Sequence, residues 1–143
     1  MQRPVPIPRQ GAAPFWLGGA SGELRIQQCE ACGRLVHPPA VLCPHDHQSL
    51  VWTVVSGNGK VESWTESQYS WVPGIPAPYL IALVSLVEDL ATRLLTNLVD
   101  AVDADVFIGM PVQVRFLEVG EDAERAFLPV FAPRHSGVEA PKS

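Results

Sequence analysis

Residues 24–28, Leu-Arg-Ile-Gln-Gln, alternate apolar and polar positions with the period of a half-buried strand. The same texture continues through 34–37, which Pro38-Pro39 stops, and through 50–54. Beyond Ser56 it recurs as short runs at 59–65, 80–87, 93–99, 112–117 and 127–132, separated by turn residues. Residues 88–91, Glu-Asp-Leu-Ala, read as the hairpin between the second and third of these five. Residues 103–107 read as a helical turn before the fourth. Five strands interrupted in this way predict an OB barrel. Ahead of the strands, Pro14-Phe15-Trp16-Leu17 predicts a short amphipathic helix that Gly18-Gly19 ends.

The expected fold is therefore mainly β. A proline-rich and helical segment (1–21) leads into a ribbon (22–55), a barrel (56–133) and a polar tail (134–143). Fourteen prolines and eleven glycines in 143 residues fit a turn-rich chain and exclude a helical bundle. Residues 1–9 contain no apolar core of a signal peptide, and the longest apolar run, 79–84, is too short to span a bilayer. The chain is expected in the cytoplasm, where three cysteines suggest metal or redox chemistry more than disulfides.

Cys29 and Cys32 form a C-x-x-C turn, and ten residues separate Cys32 from Cys43. One such turn offers two thiolates, and a second turn must complete a tetrahedron. This is a zinc-ribbon arrangement with one cysteine missing. The absent cysteine falls at Asp46, which offers an oxygen ligand at the standard position. His47 and His45 offer imidazole nitrogen, better matched to zinc beside thiolates. The order of preference is His47, then Asp46, then His45, whose ring would have to bend back sharply toward Cys43. A closed structural zinc contributes on the order of 10 kcal/mol to a small subdomain. The competing reading is a ribbon that folds without metal around three small apolar cysteines.

Charge restricts the barrel's partners. Residues 56–133 carry four cations and eleven anions, a formal charge of −7. Backbone phosphates are bound through Lys and Arg, so a single-stranded nucleic-acid role, otherwise common for OB modules, is disfavoured. No G-x-S-x-G, Gly-rich phosphate loop or H-E-x-x-H motif is present, and no catalytic residue is assigned. A rubredoxin-like electron carrier, which needs iron on thiolates, is a further alternative.

Several stretches together resemble one family. They are Phe15-Trp16, Gly22-Glu23-Leu24 running into Cys29-Glu30-Ala31-Cys32-Gly33, His37-Pro38-Pro39, and Cys43-Pro44. Residues 56–61, Pro78-Tyr79, residues 108–112 and residues 128–131 complete the set. In order and spacing they are similar to the ribbon-plus-OB proteins long catalogued as a domain of unknown function and associated with acyl-CoA enzymes. The resemblance spans residues 14–133. It implies an N-terminal helical segment, a rubredoxin-like zinc ribbon and a C-terminal OB fold. It also implies a non-catalytic accessory subunit in a hetero-oligomer with a thiolase-like enzyme, with acyl-CoA as the shared substrate. Some members join hot-dog-fold hydratases.

A retro-aldolase of steroid side-chain degradation is preferred as partner over a biosynthetic acetyl-CoA acetyltransferase. That preference follows the bias of arginine over lysine (only Lys60 and Lys142), which suits GC-rich steroid degraders. Candidate contacts for the acyl-CoA or the partner are Trp64, Trp71, Tyr79, Arg93 and Arg115. For each, ordinary core packing or surface ion pairing is the competing reading.

Overall fold

The structure is a computed structural model that describes residues 12–70, 76–121 and 125–134. The expected extended segment at 1–10 and the tail beyond 134 lie outside the described residues. A single-turn helix, α1 (Ala13–Leu17), opens the described chain. Pro14 sits in its first turn, where a missing N–H goes unnoticed. A 3-10 turn (Gly18–Ser21) follows and brings Gly19 so close to the barrel that a Cβ there would lie 2.8 Å from Phe116 Cδ1.

The ribbon is a three-stranded antiparallel sheet in which β1 (Leu24–Cys29) lies between β2 (Leu35–Val36) and β3 (Leu50–Val55). Pairing of β1 with β3 runs from Leu24 opposite Val55 to Cys29 opposite Leu50. The second strand is shorter than the alternation at 34–37 predicts. Arg34 still belongs to the preceding turn, its carbonyl accepting from Cys29 N–H at 2.9 Å. After Val36, Pro38 and Pro39 offer no N–H to the ladder.

The second sheet closes into a barrel from β4 (Asn58–Ser67), β5 (Tyr79–Leu86), β6 (Asp89–Leu98), β7 (Pro111–Val119) and β8 (Ala126–Pro133), ordered β4-β5-β6-β8-β7. Strand β7 returns to β4, and every pairing is antiparallel except β6 with β8. Those two meet in parallel at one position, Leu98 opposite Phe131. The short helix (Asp103–Asp105) lies between β6 and β7, where the chain pattern predicts it. The fold is thus a zinc-ribbon-like sheet followed by a five-stranded OB-type barrel.

The β5–β6 hairpin is tighter than the sequence suggests. Only Val87 and Glu88 form its turn, and β6 begins at Asp89. The chain pattern places the start of this strand at Arg93 and misses residues 89–92, where Thr92, although buried, is polar. Entry to β4 depends on Gly57, whose φ of 81° lies in the left-handed region. A Cβ there would also collide with Val114.

One apolar core runs through the described chain. It joins Phe15 of α1, with Leu24, Ile26, Leu35 and Val55 of the ribbon, to barrel residues such as Val61, Val84, Leu86, Val112 and Phe131. Two further bonds tie ribbon to barrel at the β5–β6 hairpin. Leu35 N–H donates to Asp89 Oδ2 at 3.2 Å, and Thr92 Oγ1 donates to Leu35 O at 3.1 Å.

Candidate metal centre and apolar cleft

The two turns of the ribbon repeat one hydrogen-bond pattern. In the first, Cys29 N–H donates to Arg34 O and Gly33 N–H donates to Cys29 O. In the second, Cys43 N–H donates to Gln48 O and His47 N–H donates to Cys43 O. Residues 29–34 therefore correspond to 43–48. Asp46 takes the place of Cys32, and His47 takes the place of Gly33. Both of the latter have positive φ, 77° for Gly33 and 59° for His47. His47 is an exposed turn residue, as is His45.

The ligand atoms that converge are those of Cys29, Cys32, Cys43 and Asp46, all within 4.8 Å of one another. Cys29 Sγ lies 3.4 Å from each Asp46 carboxylate oxygen, and Cys32 Sγ lies 3.8 Å from Cys43 Sγ. A tetrahedral zinc with bonds of about 2.0–2.3 Å separates its ligands by about 3.3–3.8 Å, so the set fits such an ion. Cys29 and Cys43 are buried and Cys32 is exposed. Cys29 and Cys43 form a small cluster with Val36, on which Ala40 and Leu50 pack.

The protonation pattern reflects four acidic groups brought together. The Cys32 backbone N–H, donating to Cys29 Sγ at 3.3 Å, favours the Cys29 thiolate and lowers its pKa. The Gln48 backbone N–H holds the Asp46 carboxyl below its ordinary range, and hydrogen bonds from the three thiols add to this. The Arg34 backbone N–H pulls the Cys32 thiol down. Desolvation, hydrogen bonds with Cys29 and Cys43, and the Asp46 charge outweigh it and raise that pKa to about 11. Such a group of acids ionises together only when a cation neutralises it.

Gln27 fixes the second turn against the first. Its buried side chain donates from Nε2 to Ala40 O at 3.0 Å and accepts from Ala40 N–H at 2.7 Å at Oε1. The amide thereby substitutes for a peptide group of a neighbouring strand. Alternation places Gln27 on the polar face of its strand with Arg25, so its burial departs from the chain pattern.

An apolar cleft of about 310 Å³ lies where α1, the ribbon and the barrel meet. It is lined by Phe15, Trp16, His37 and Pro38, together with Leu95 of β6 and Pro129 of β8. His37 lies 4.9 Å from Phe15, ring centre to ring centre, and loss of solvent lowers its pKa to about 4. Leu95 is 76 % exposed at the rim.

The five contact candidates are dispersed. Trp64 packs on the core and donates its indole N–H to Asp103 at 3.0 Å. Tyr79 lines a second cleft of about 320 Å³ with Glu66, Pro78 and Val102. Arg93 is exposed on β6, and Arg115 on β7 is paired with Asp100. Neither arginine lines either cleft. Trp71 lies outside the described residues.

Two family models match adjoining stretches of the chain. One, the ChsH2 rubredoxin-like zinc ribbon domain, matches residues 16–49. The other, the ChsH2 C-terminal OB-fold domain, matches residues 52–117. A DUF35 domain-containing scaffold protein of Methanocaldococcus jannaschii is 31 % identical over 103 residues, covering 68 % of this chain and 70 % of that protein. The chain belongs to the DUF35 family.

Other relatives of this DUF35 chain are longer. A probable enoyl-CoA hydratase alpha subunit of Thermomonospora curvata is 40 % identical over 134 residues, 92 % of this chain and 40 % of that protein. The 3-oxo-4,17-pregnadiene-20-carboxyl-CoA hydratase alpha subunit of Mycobacterium tuberculosis is 39 % identical over 114 residues, 79 % of this chain and 36 % of that protein. The chain thus spans about two fifths of these two relatives.

Among solved structures, a chain of the Ltp2-ChsH2(DUF35) aldolase superposes with a TM-score of 0.72 at 38 % identity, covering 87 % of this chain and 95 % of that one. A DUF35 protein of Sulfolobus solfataricus shares the fold, with a TM-score of 0.57 at 18 % identity over 73 % of this chain and 77 % of that one. Among the described residues, no helix is long and apolar enough to cross a membrane.

Proposed function

We propose that this DUF35 chain is a non-catalytic accessory subunit that docks on a thiolase-like acyl-CoA enzyme. The preferred partner is a retro-aldolase of steroid side-chain degradation. The observation that carries this reading is the likeness to the DUF35 chain of the Ltp2-ChsH2 aldolase, which extends over nearly all of that chain. In this role the subunit helps hold or pass on the acyl-CoA, while the partner performs the chemistry. The barrel's strongly acidic character would repel the CoA phosphates, so the partner supplies most of their binding. Cys29, Cys32 and Cys43, with Asp46 as fourth ligand, hold a structural zinc that fixes the ribbon.

Co-expression with a thiolase-like retro-aldolase tests the proposal. The two are expected to co-purify, with the partner losing activity or stability alone. Separate elution with a fully active, stable partner would refute it. A second reading has specific support in the two relatives named as hydratase alpha subunits. It requires co-purification with a hot-dog-fold hydratase instead.

A further inference from the structure

We propose that the ribbon carries a second way of tying its two turns together: a Cys32–Cys43 disulfide that forms when the metal is absent and a hydroperoxide is present. The inference rests on the sulfur geometry and not on the partner proposed above.

A set of four cysteines can be oxidised to two disulfides, whereas three thiols and a carboxylate allow one, with a thiol left over. The structure distinguishes the members. Cys32 is the exposed thiol, so it meets a dissolved oxidant first. Cys43 Sγ lies 3.8 Å from it on the opposite turn. Cys29 is buried, accepts the Cys32 backbone N–H at its sulfur, and donates its thiol hydrogen to Asp46 at 3.4 Å. That occupied thiol is the one left reduced.

The chemistry balances in two steps. Exposure and not acidity selects Cys32: its thiol loses its proton as the sulfur attacks the hydroperoxide, whose O–O bond breaks to give a sulfenic acid and an alcohol, or water from hydrogen peroxide. The Cys43 sulfur then displaces hydroxide from the sulfenic sulfur, forming the S–S bond and releasing water. The two electrons lost by the sulfur pair reduce the peroxide. Because the bond joins the two turns, it takes over the link that the metal otherwise makes. A bond within the Cys29–Cys32 turn would not.

The test uses the full chain, stripped with a chelator and treated with stoichiometric hydrogen peroxide. Free thiols are expected to fall from three to one. Trypsin cuts after Arg25, Arg34 and Lys60, so the expected bond links peptide 26–34 to peptide 35–60. Cys29→Ser retains this cross-link, Cys32→Ser and Cys43→Ser each abolish it, and dithiothreitol reverses it; a cross-link that persists in Cys32→Ser would assign the bond to Cys29 and overturn the proposal. The oxidised chain is expected to melt above the reduced, metal-free chain. A bond confined to peptide 26–34, intermolecular dimers, or sulfinic acid at Cys32 would overturn the proposal. So would a melting temperature equal to or below that of the reduced, metal-free chain.

Discussion

The Thr92 hydroxyl donates to the carbonyl of Leu35 at 3.1 Å across the seam between barrel and ribbon, where it is shielded from water. The Leu35 N–H is taken by Asp89, so both backbone polar groups of this ribbon residue are satisfied by one barrel strand. Strand β2 has only two residues, and this clamp compensates for its short ladder. Thr92→Val leaves the Leu35 carbonyl without its donor and is expected to destabilise the chain by about 1–3 kcal/mol. Urea denaturation gives the value. Hydrogen exchange should show the loss concentrated at β2, and an unchanged β2 would contradict the clamp.

Gln27 makes a comparable contribution inside the ribbon. Gln27→Ala removes both bonds to Ala40 and leaves a backbone N–H and carbonyl unpaired, at a cost of about 2–4 kcal/mol. Gln27→Glu keeps the acceptor for Ala40 N–H but sets a carboxylate against Ala40 O. It should fold less stably at neutral pH than below the Glu pKa. Thermal melts at the two pH values check this.

Metal content separates Asp46 from its histidine neighbours. Asp46→Ala is expected to weaken zinc binding by at least about tenfold, in competition with a chromophoric chelator. His47→Ala and His45→Ala should bind as the parent does. His47→Gly relieves a left-handed backbone and is expected to raise stability by about 0.5–1 kcal/mol. Zinc loss in His47→Ala with retention in Asp46→Ala would reverse the assignment.

The buried His37 predicts a pH dependence of known sign. Its pKa falls from 6.5 to about 4 on folding, so between these values the unfolded chain binds the extra proton. The contribution is complete above pH 6.5 and is lost as pH falls toward 4. It amounts to at most about 3 kcal/mol, the equivalent of the shift. His37→Asn should flatten the stability curve between pH 4 and 6.5. An equally steep curve in that variant would place the titration elsewhere.

Much of this was legible in the chain pattern, and the exceptions share a cause. Alternation at 24–28, and short runs between turn residues elsewhere, revealed the strands of the described chain. The pattern failed at residues 89–92, where β6 begins and where Thr92 is polar and buried for a partner 57 residues away. Gln27 was overlooked for the same reason, since its amide is satisfied by Ala40 across a turn. The spacing of the cysteines located the metal turns and placed Asp46 at the fourth position. The preference for His47 came from ligand chemistry alone. What the spacing did not reveal is that the turn needs a left-handed residue at position 47, signalled by glycine in the first turn and by histidine in the second. The cleft at Phe15, Trp16 and His37 joins three separate parts of the chain, and no local pattern records that meeting.

The barrel closes along a seam between two strand units. Strands β4, β5 and β6 form a meander, and β7 and β8 form a separate hairpin. Three paired positions from Asn58 opposite Gln113 to Lys60 opposite Pro111, together with Leu98 opposite Phe131, join these two halves through the ladders. Bonds outside the ladders reinforce the seam, among them Val114 N–H to Gly57 O, Val99 N–H to Phe131 O and Thr96 Oγ1 to Pro129 O. Closure therefore rests as much on these bonds and on the buried Val112 and Phe131 as on strand pairing.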